Sequence, residues 1–189
     1  KLPPDVRKEF MTTLLKYSEK KKEDKINSDF MAFVKHVWPD FIEGAHHKII
    51  ADKFNRLRTG ELKRLIINMP PRHTKSEFAS YLFPAWMIGK YPKLKIMQVS
   101  HNAELSGRFG SKVRNLIDSQ EYKQIFGDVR LREDSKAKGR WETNHGGEYY
   151  AAGVGGSITG RGADLLIIDD PHTEQDALSE SAMERAYDW

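Results

Sequence analysis

The 189-residue sequence contains no cysteine, which excludes disulfide bridges and thiolate-ligated metal centres. No apolar run approaches the ~20 residues that a membrane-crossing helix needs, and no signal-peptide pattern is visible, so a soluble protein is expected. A charge excess of one sign is missing too. Lysine and arginine number 31 against 27 aspartate and glutamate, and a net charge of +4 permits a nucleic-acid partner without demanding one. Internal repeats are absent. The chain begins KLPP without methionine and stops at Asp188-Trp189 inside a helical pattern, so a piece of a longer protein is expected.

What is present concentrates in two segments. LLIIDDP (165–171) runs four apolar residues straight into Asp169 and Asp170. A continuous apolar run predicts a strand buried on both faces of a parallel sheet, with both acids at the carboxyl end where open α/β sheets build ligand sites. The bland alternative is a core strand followed by an Asp-Pro turn. LIINMPPRHTKS (65–76) predicts a strand, a proline-rich loop and a helix opening at Lys75-Ser76. That is the layout of a phosphate-binding loop: backbone N–H groups face the anion, Lys75 reaches the β/γ phosphates and the Ser76 hydroxyl ligates Mg²⁺. The usual G-x-x-x-x-G-K-[ST] pattern fails at both glycines, which are Met69 and Thr74 here. A β-branched residue resists positive φ, so a phosphate-holding loop is expected to keep Thr74 at negative φ.

From Lys75 to Asp169 is a step of 94 residues, room for about two or three strand–helix units, as in triphosphatases whose extra strands separate the phosphate loop from the Mg²⁺ carboxylate. In that arrangement Asp169 holds Mg²⁺ through water and Asp170 orients or deprotonates the attacking water.

Three runs, MPPRHTKSEFASYLFPAW, VSHNAELSGRFGSKVRNLI and GVGGSITGRGADLLIIDDP, together resemble the N-terminal ATPase region of the large terminase subunits of tailed bacteriophages. The resemblance extends from about Phe30 to Trp189. It implies an α/β P-loop NTPase of the additional-strand (ASCE) type, with a mostly parallel central sheet flanked by helices. An N-terminal helix and charged linker is expected at 1–26 from its own periodicity and charge, and the resemblance implies a Mg²⁺-dependent ATPase domain at 27–189, without the family's C-terminal nuclease domain. ATP and Mg²⁺ are the implied cofactors. Pro71, Arg72, His73, Thr74, Lys75, Ser76 and Glu77 form the nucleotide loop, Ser76 and Asp169 the metal site, and Asp170, Arg72 and Arg161 the catalytic set. The implied partners are double-stranded DNA, a portal protein, a small terminase subunit and further copies in a ring, in the host cytoplasm. Thr74 and Asp170 depart from the common glycine and glutamate of such ATPases. Two other readings stay open: a helicase-like DNA motor, and a scaffold domain with weakened catalysis.

The rest of the chain carries weaker signals. Val6, Phe10, Leu14 and Tyr17 recur at helical spacing before the charged run 16–25, which reads as a solvated helix end or linker. A second helix is expected over 27–38, capped by Asn27 or Ser28, and a third over 46–58. His46 and His47, adjacent on a helix, should point apart. The resemblance makes them candidates for the adenine pocket. Residues 65–68 and 94–99 are expected strands, with a helix over 75–89 ended or kinked by Pro84. Ser100-His101-Asn102 should cap a helix through Leu116 whose Arg108, Lys112 and Arg114 form a solvated face, and 140–154 reads as a hairpin. The glycine-rich loop 153–162 precedes the acid-bearing strand. It carries Arg161, a candidate to stabilise transferring phosphate charge or to reach across a subunit interface.

Overall fold

Three helices make up the chain as far as Arg64 in the computed structural model, which describes residues 3–189. α1 (Pro4–Ser28) starts with proline in its first turn, where a missing N–H costs nothing. It runs unbroken through the charged stretch, because 16–25 contains good helix formers and neither glycine nor proline. α2 (Phe30–Val37) is capped by Asp29 rather than by Asn27 or Ser28: the Ala32 N–H donates to Asp29 Oδ1 at 2.7 Å. The Ser28 hydroxyl instead donates back to the Asp24 carbonyl of α1. Asn55 of α3 (Ala45–Arg58) donates to the other Asp29 oxygen and accepts the Phe30 N–H, tying both helices to one turn. Phe30 and Phe54 meet edge to face at 5.0 Å beside Phe33, Val34 and Ile50, all buried. His46 and His47 do not diverge. Their rings lie 3.8 Å apart, because His47 folds back to accept the Gly44 N–H on Nδ1.

The second unit, Leu65–Trp189, is built on a five-stranded sheet ordered β2-β3-β4-β1-β5. Its strands are β1 (Lys95–Ser100), β2 (Leu131–Ala137), β3 (Arg140–Thr143), β4 (Glu148–Gly153) and β5 (Leu165–Ile168). β4, β1 and β5 run parallel, while β2, β3 and β4 form an antiparallel meander. The helices are α4 (Phe83–Lys90), α5 (Ala103–Ile117), α6 (Gln120–Ile125) and α7 (Glu180–Asp188). β1 is central and buried from Ile96 to Ser100. Of the run Ser100-His101-Asn102, it is Asn102 that caps α5, accepting the Leu105 N–H at 2.8 Å. α5 lies close on the sheet at Gly110, where a Cβ would sit 2.6 Å from the Lys138 carbonyl. That approach lets the buried Trp141 indole donate to the Gly110 carbonyl and stack on Tyr149 at 4.9 Å.

Two expectations fail in this unit. Residues 65–68 are not a strand, and Ile66 is 86% exposed. The segment runs into Pro70-Pro71, which offer no ladder donors, and β5 pairs only with β1 among the described residues. Nor is β5 buried on both faces. It is an edge strand, and Leu166 and Ile168 are 55% and 58% exposed on the face opposite Ile167. Pro84, expected to end or kink its helix, distorts it without ending it. Helical structure continues from Lys75 to Lys90 through a π-helical turn at Glu77–Leu82.

Candidate phosphate-loop and paired-acid site

The loop 69–76 connects the extended segment to the helix that opens at Lys75. Among the described residues, three that are not glycine have positive φ: Arg72 (64°), Thr74 (64°) and Asp170 (47°). All three are residues singled out from the sequence. The expectation of negative φ at Thr74 is therefore wrong. Left-handed backbone at a β-branched residue is an outlier, and such strain persists only where surrounding structure enforces it, most often at functional sites. The loop braces itself: His73 Nδ1 lies 2.8 Å from the Pro71 carbonyl, the Thr74 hydroxyl donates to the His73 carbonyl, and the Thr74 carbonyl accepts the Phe78 N–H.

Parallel pairing with β1 carries β5 to the same end of the sheet, so the acids that follow it meet the helix start 95 positions earlier. Lys75 Nζ ion-pairs with Asp170 Oδ1 and lies 3.3 Å from Asp169 Oδ1. Burial pushes the Lys75 ammonium down, but its hydrogen bond to Asp170 and the charges of both acids outweigh that and hold its pKa above the ordinary lysine value. Asp169 is only 5% exposed, and its second oxygen, Oδ2, accepts the Ser80 hydroxyl at 2.8 Å. A buried carboxylate needs such partners, because unpaired charge in the interior is strongly disfavoured. The Asp170 carbonyl accepts the His101 N–H at 3.0 Å, which ties the second acid to the residue that follows β1.

Lys75, Asp169 and Asp170 are thus brought together, and Ser80 and His101 join them unforeseen. Position five after the lysine carries no signal unless a π turn is anticipated. His101 stands out only once β1 and β5 are known to be neighbours. Ser76 lies in the first helical turn, while Pro71, Arg72 and His73 are exposed. Glu77 turns to α5, pairing with Lys112 Nζ at 2.5 Å, so Lys112 is no solvent-only charge. Arg161 is not with them. Its guanidinium pairs with Glu148 at 3.2 Å and lies 4.0 Å above the Tyr150 ring, with Arg140 on the same carboxylate. Glu148 pairs with Lys95 where β4 and β1 begin, whereas the acids lie where β1 and β5 end. A six-residue strand separates the two ends by roughly 16 Å at ~3.3 Å per residue.

The donor set suits a hard cation only with help from outside the protein. Among the described residues no group of three or more His, Cys, Asp or Glu is arranged to hold a metal. Asp169 and Ser76 offer oxygen ligands of the kind Mg²⁺ takes, and Mg²⁺ fills its remaining positions with water and phosphate oxygens. Among the described residues, no helix is long and apolar enough to cross a membrane.

The fold and site together define an α/β domain with a lysine at a helix start facing paired acids at a strand end. No protein-family model matches the chain. Among curated proteins it is similar to the large terminase subunit of Enterobacteria phage T3, with 25% identity over 165 residues. That alignment covers 86% of this chain and spans 28% of the relative's length. The resemblance to large terminase subunits is thus found along most of the chain.

Proposed function

We propose that this chain is the ATP-hydrolysing domain of a phage DNA-packaging motor. The observation that carries the reading is the convergence of Lys75 with Asp169 and Asp170, supported by the similarity to a terminase large subunit. Residues 71–77 hold the triphosphate: backbone N–H groups at the helix start face its oxygens, and Lys75 supplies the point charge. The strained backbone at Arg72 and Thr74 is what turns the loop. Arg72, three residues before Lys75, supplies a guanidinium within the subunit.

Asp169 and the Ser76 hydroxyl hold Mg²⁺, which when bound neutralises phosphate charge and orients the γ-phosphoryl group. Asp170 accepts a hydrogen bond from the attacking water and then its proton. A triphosphate offers Lys75 competing anionic oxygens, and transfer of the ammonium to them frees the Asp170 carboxylate for that task. Lys75 thereby links binding to activation of the acid. The motor acts on double-stranded DNA, docked on a portal protein with a small terminase subunit and further copies in a ring, in the host cytoplasm. Arg161, held by Glu148 in this subunit, serves a neighbour's site after release.

A scaffold with weakened catalysis is the second reading, favoured by the strain at Thr74. Phosphate release from ATP, measured with and without Mg²⁺ and duplex DNA for the chain and for Lys75→Ala, separates the two. Turnover that requires Mg²⁺ and disappears in the variant supports the motor. Turnover equal in both sinks the assignment.

A further inference from the structure

We propose that Ser80 is a positioning residue for the Asp169 carboxylate, set in place by the π-helical turn that Pro84 imposes. The inference rests on the ATP and Mg²⁺ reading above. On an α-helix, residues five apart point about 140° away from each other, so Lys75 and Ser80 would not serve one carboxylate. Here they do: Lys75 approaches Oδ1 and Ser80 donates to Oδ2. Ser80 lies within the π turn Glu77–Leu82, which ends in a bond from the Phe83 N–H to the Phe78 carbonyl, five residues back. An i→i+5 turn brings residues five apart onto one side.

Pro84 explains why the turn lies there. A proline inside a helix donates no N–H and its ring clashes with the carbonyl four residues earlier, which belongs to Ser80. Widening the turn relieves that clash, and the helix continues as α4. Ser80 is itself fully buried, and a buried helical serine commonly bonds back to a carbonyl of its own helix. Its hydroxyl instead crosses 89 positions to Asp169. With Oδ2 held, Oδ1 is the oxygen left to face a cation or its bound water once a triphosphate draws Lys75 away from it.

The test titrates Mg²⁺ into the 189-residue chain with a fluorescent ATP analogue, comparing wild type with Ser80→Ala, Ser80→Thr and Pro84→Ala. Binding in EDTA and thermal melts are recorded alongside. Loss of a group that orients a metal ligand typically weakens metal affinity 10–100-fold. Ser80→Ala is expected to raise the half-saturating Mg²⁺ concentration at least ~10-fold while leaving affinity in EDTA unchanged. Pro84→Ala should shift it in the same direction, and Ser80→Thr, which keeps the hydroxyl, should largely restore it. Should Ser80→Ala fail to fold, Ser80→Cys, a near-isostere with a weaker donor, should show a smaller shift in the same sense. An unchanged Mg²⁺ midpoint in a folded Ser80 variant overturns the positioning role, as does an equal loss with and without Mg²⁺. A Pro84→Ala midpoint equal to wild type overturns the part assigned to the turn. Wild type that binds no nucleotide under either condition removes the ATP reading itself, and this proposal with it.

Discussion

Replacing Thr74 with glycine should stabilise the protein, although glycine ordinarily weakens a structure. Thr74 has φ of 64°, and holding a β-branched residue there costs roughly 1–3 kcal/mol. Glycine adopts that conformation without strain, but its freer unfolded chain returns about 0.5–1 kcal/mol. Loss of the hydroxyl's bond to the His73 carbonyl, at the exposed surface of the loop, removes about 0.5 kcal/mol more. Taken at their midpoints, these leave a gain of about 0.75 kcal/mol, with a rise of about 2–4 °C in Tm per kcal/mol for a domain of this size. The assay is urea unfolding followed by tryptophan fluorescence in a Trp38→Phe background, so that the signal comes from Trp86, Trp141 and Trp189 of the second unit. Thr74→Ala removes the branch but keeps a Cβ, and should fall between wild type and glycine. A glycine variant less stable than wild type, or no better than alanine, would refute the argument from φ.

Four further outcomes follow from the same site. Lys75→Ala should abolish hydrolysis and sharply weaken nucleotide binding, and near-normal turnover would sink the phosphate-loop assignment. Asp169→Asn should impair Mg²⁺-dependent binding, whereas Asp170→Asn should leave binding largely intact and suppress the chemical step; equal binding losses with unchanged turnover per bound nucleotide would contradict this division. Because the Lys75 pKa is raised in the folded state, its ion pairs contribute fully below the unfolded value of 10.5 and fade as pH climbs through the folded value. Wild type should therefore lose stability relative to Lys75→Met above about pH 10.5, and parallel curves would show that the pairs contribute nothing. The isolated chain should hydrolyse ATP slowly, by ~10³-fold or more if a neighbour's arginine completes the site, and equal rates per subunit in an assembled motor with DNA would leave Arg72 as the acting arginine.

The acid pair and its lysine were legible because a strand ending in two carboxylates and a loop ending in Lys-Ser are local patterns. Asn102 as a cap, the hairpin near Gly146 and the strand at 95–100 were legible for the same reason. Residues 65–68 misled because an apolar run reports burial preference, not the presence of a pairing neighbour, and β5 has none on that side among the described residues. Asp29 was overlooked as a cap because Asn27 and Ser28 were equally good candidates one turn edge earlier. Ser80 and the positive φ of Thr74 were illegible for a different reason. Both depend on how Pro84 and the loop distort the backbone, and residue types alone do not record such distortion. Arg161 shows the converse: its chemistry suits a phosphate, but Glu148 and Tyr150 hold it elsewhere.

α5 works as a strut. It begins two residues after His101, whose N–H grips the Asp170 carbonyl, and its Lys112 grips Glu77 on the π turn that presents Ser80. Midway, Gly110 is seated against the sheet so closely that a methyl group would not fit. The helix cannot slide or roll on that seat without breaking the Trp141 bond. A displacement at Asp170 therefore reaches the lysine-bearing helix along a stiff member, not through a yielding loop. The two halves of the site, far apart in the chain, are mechanically one part.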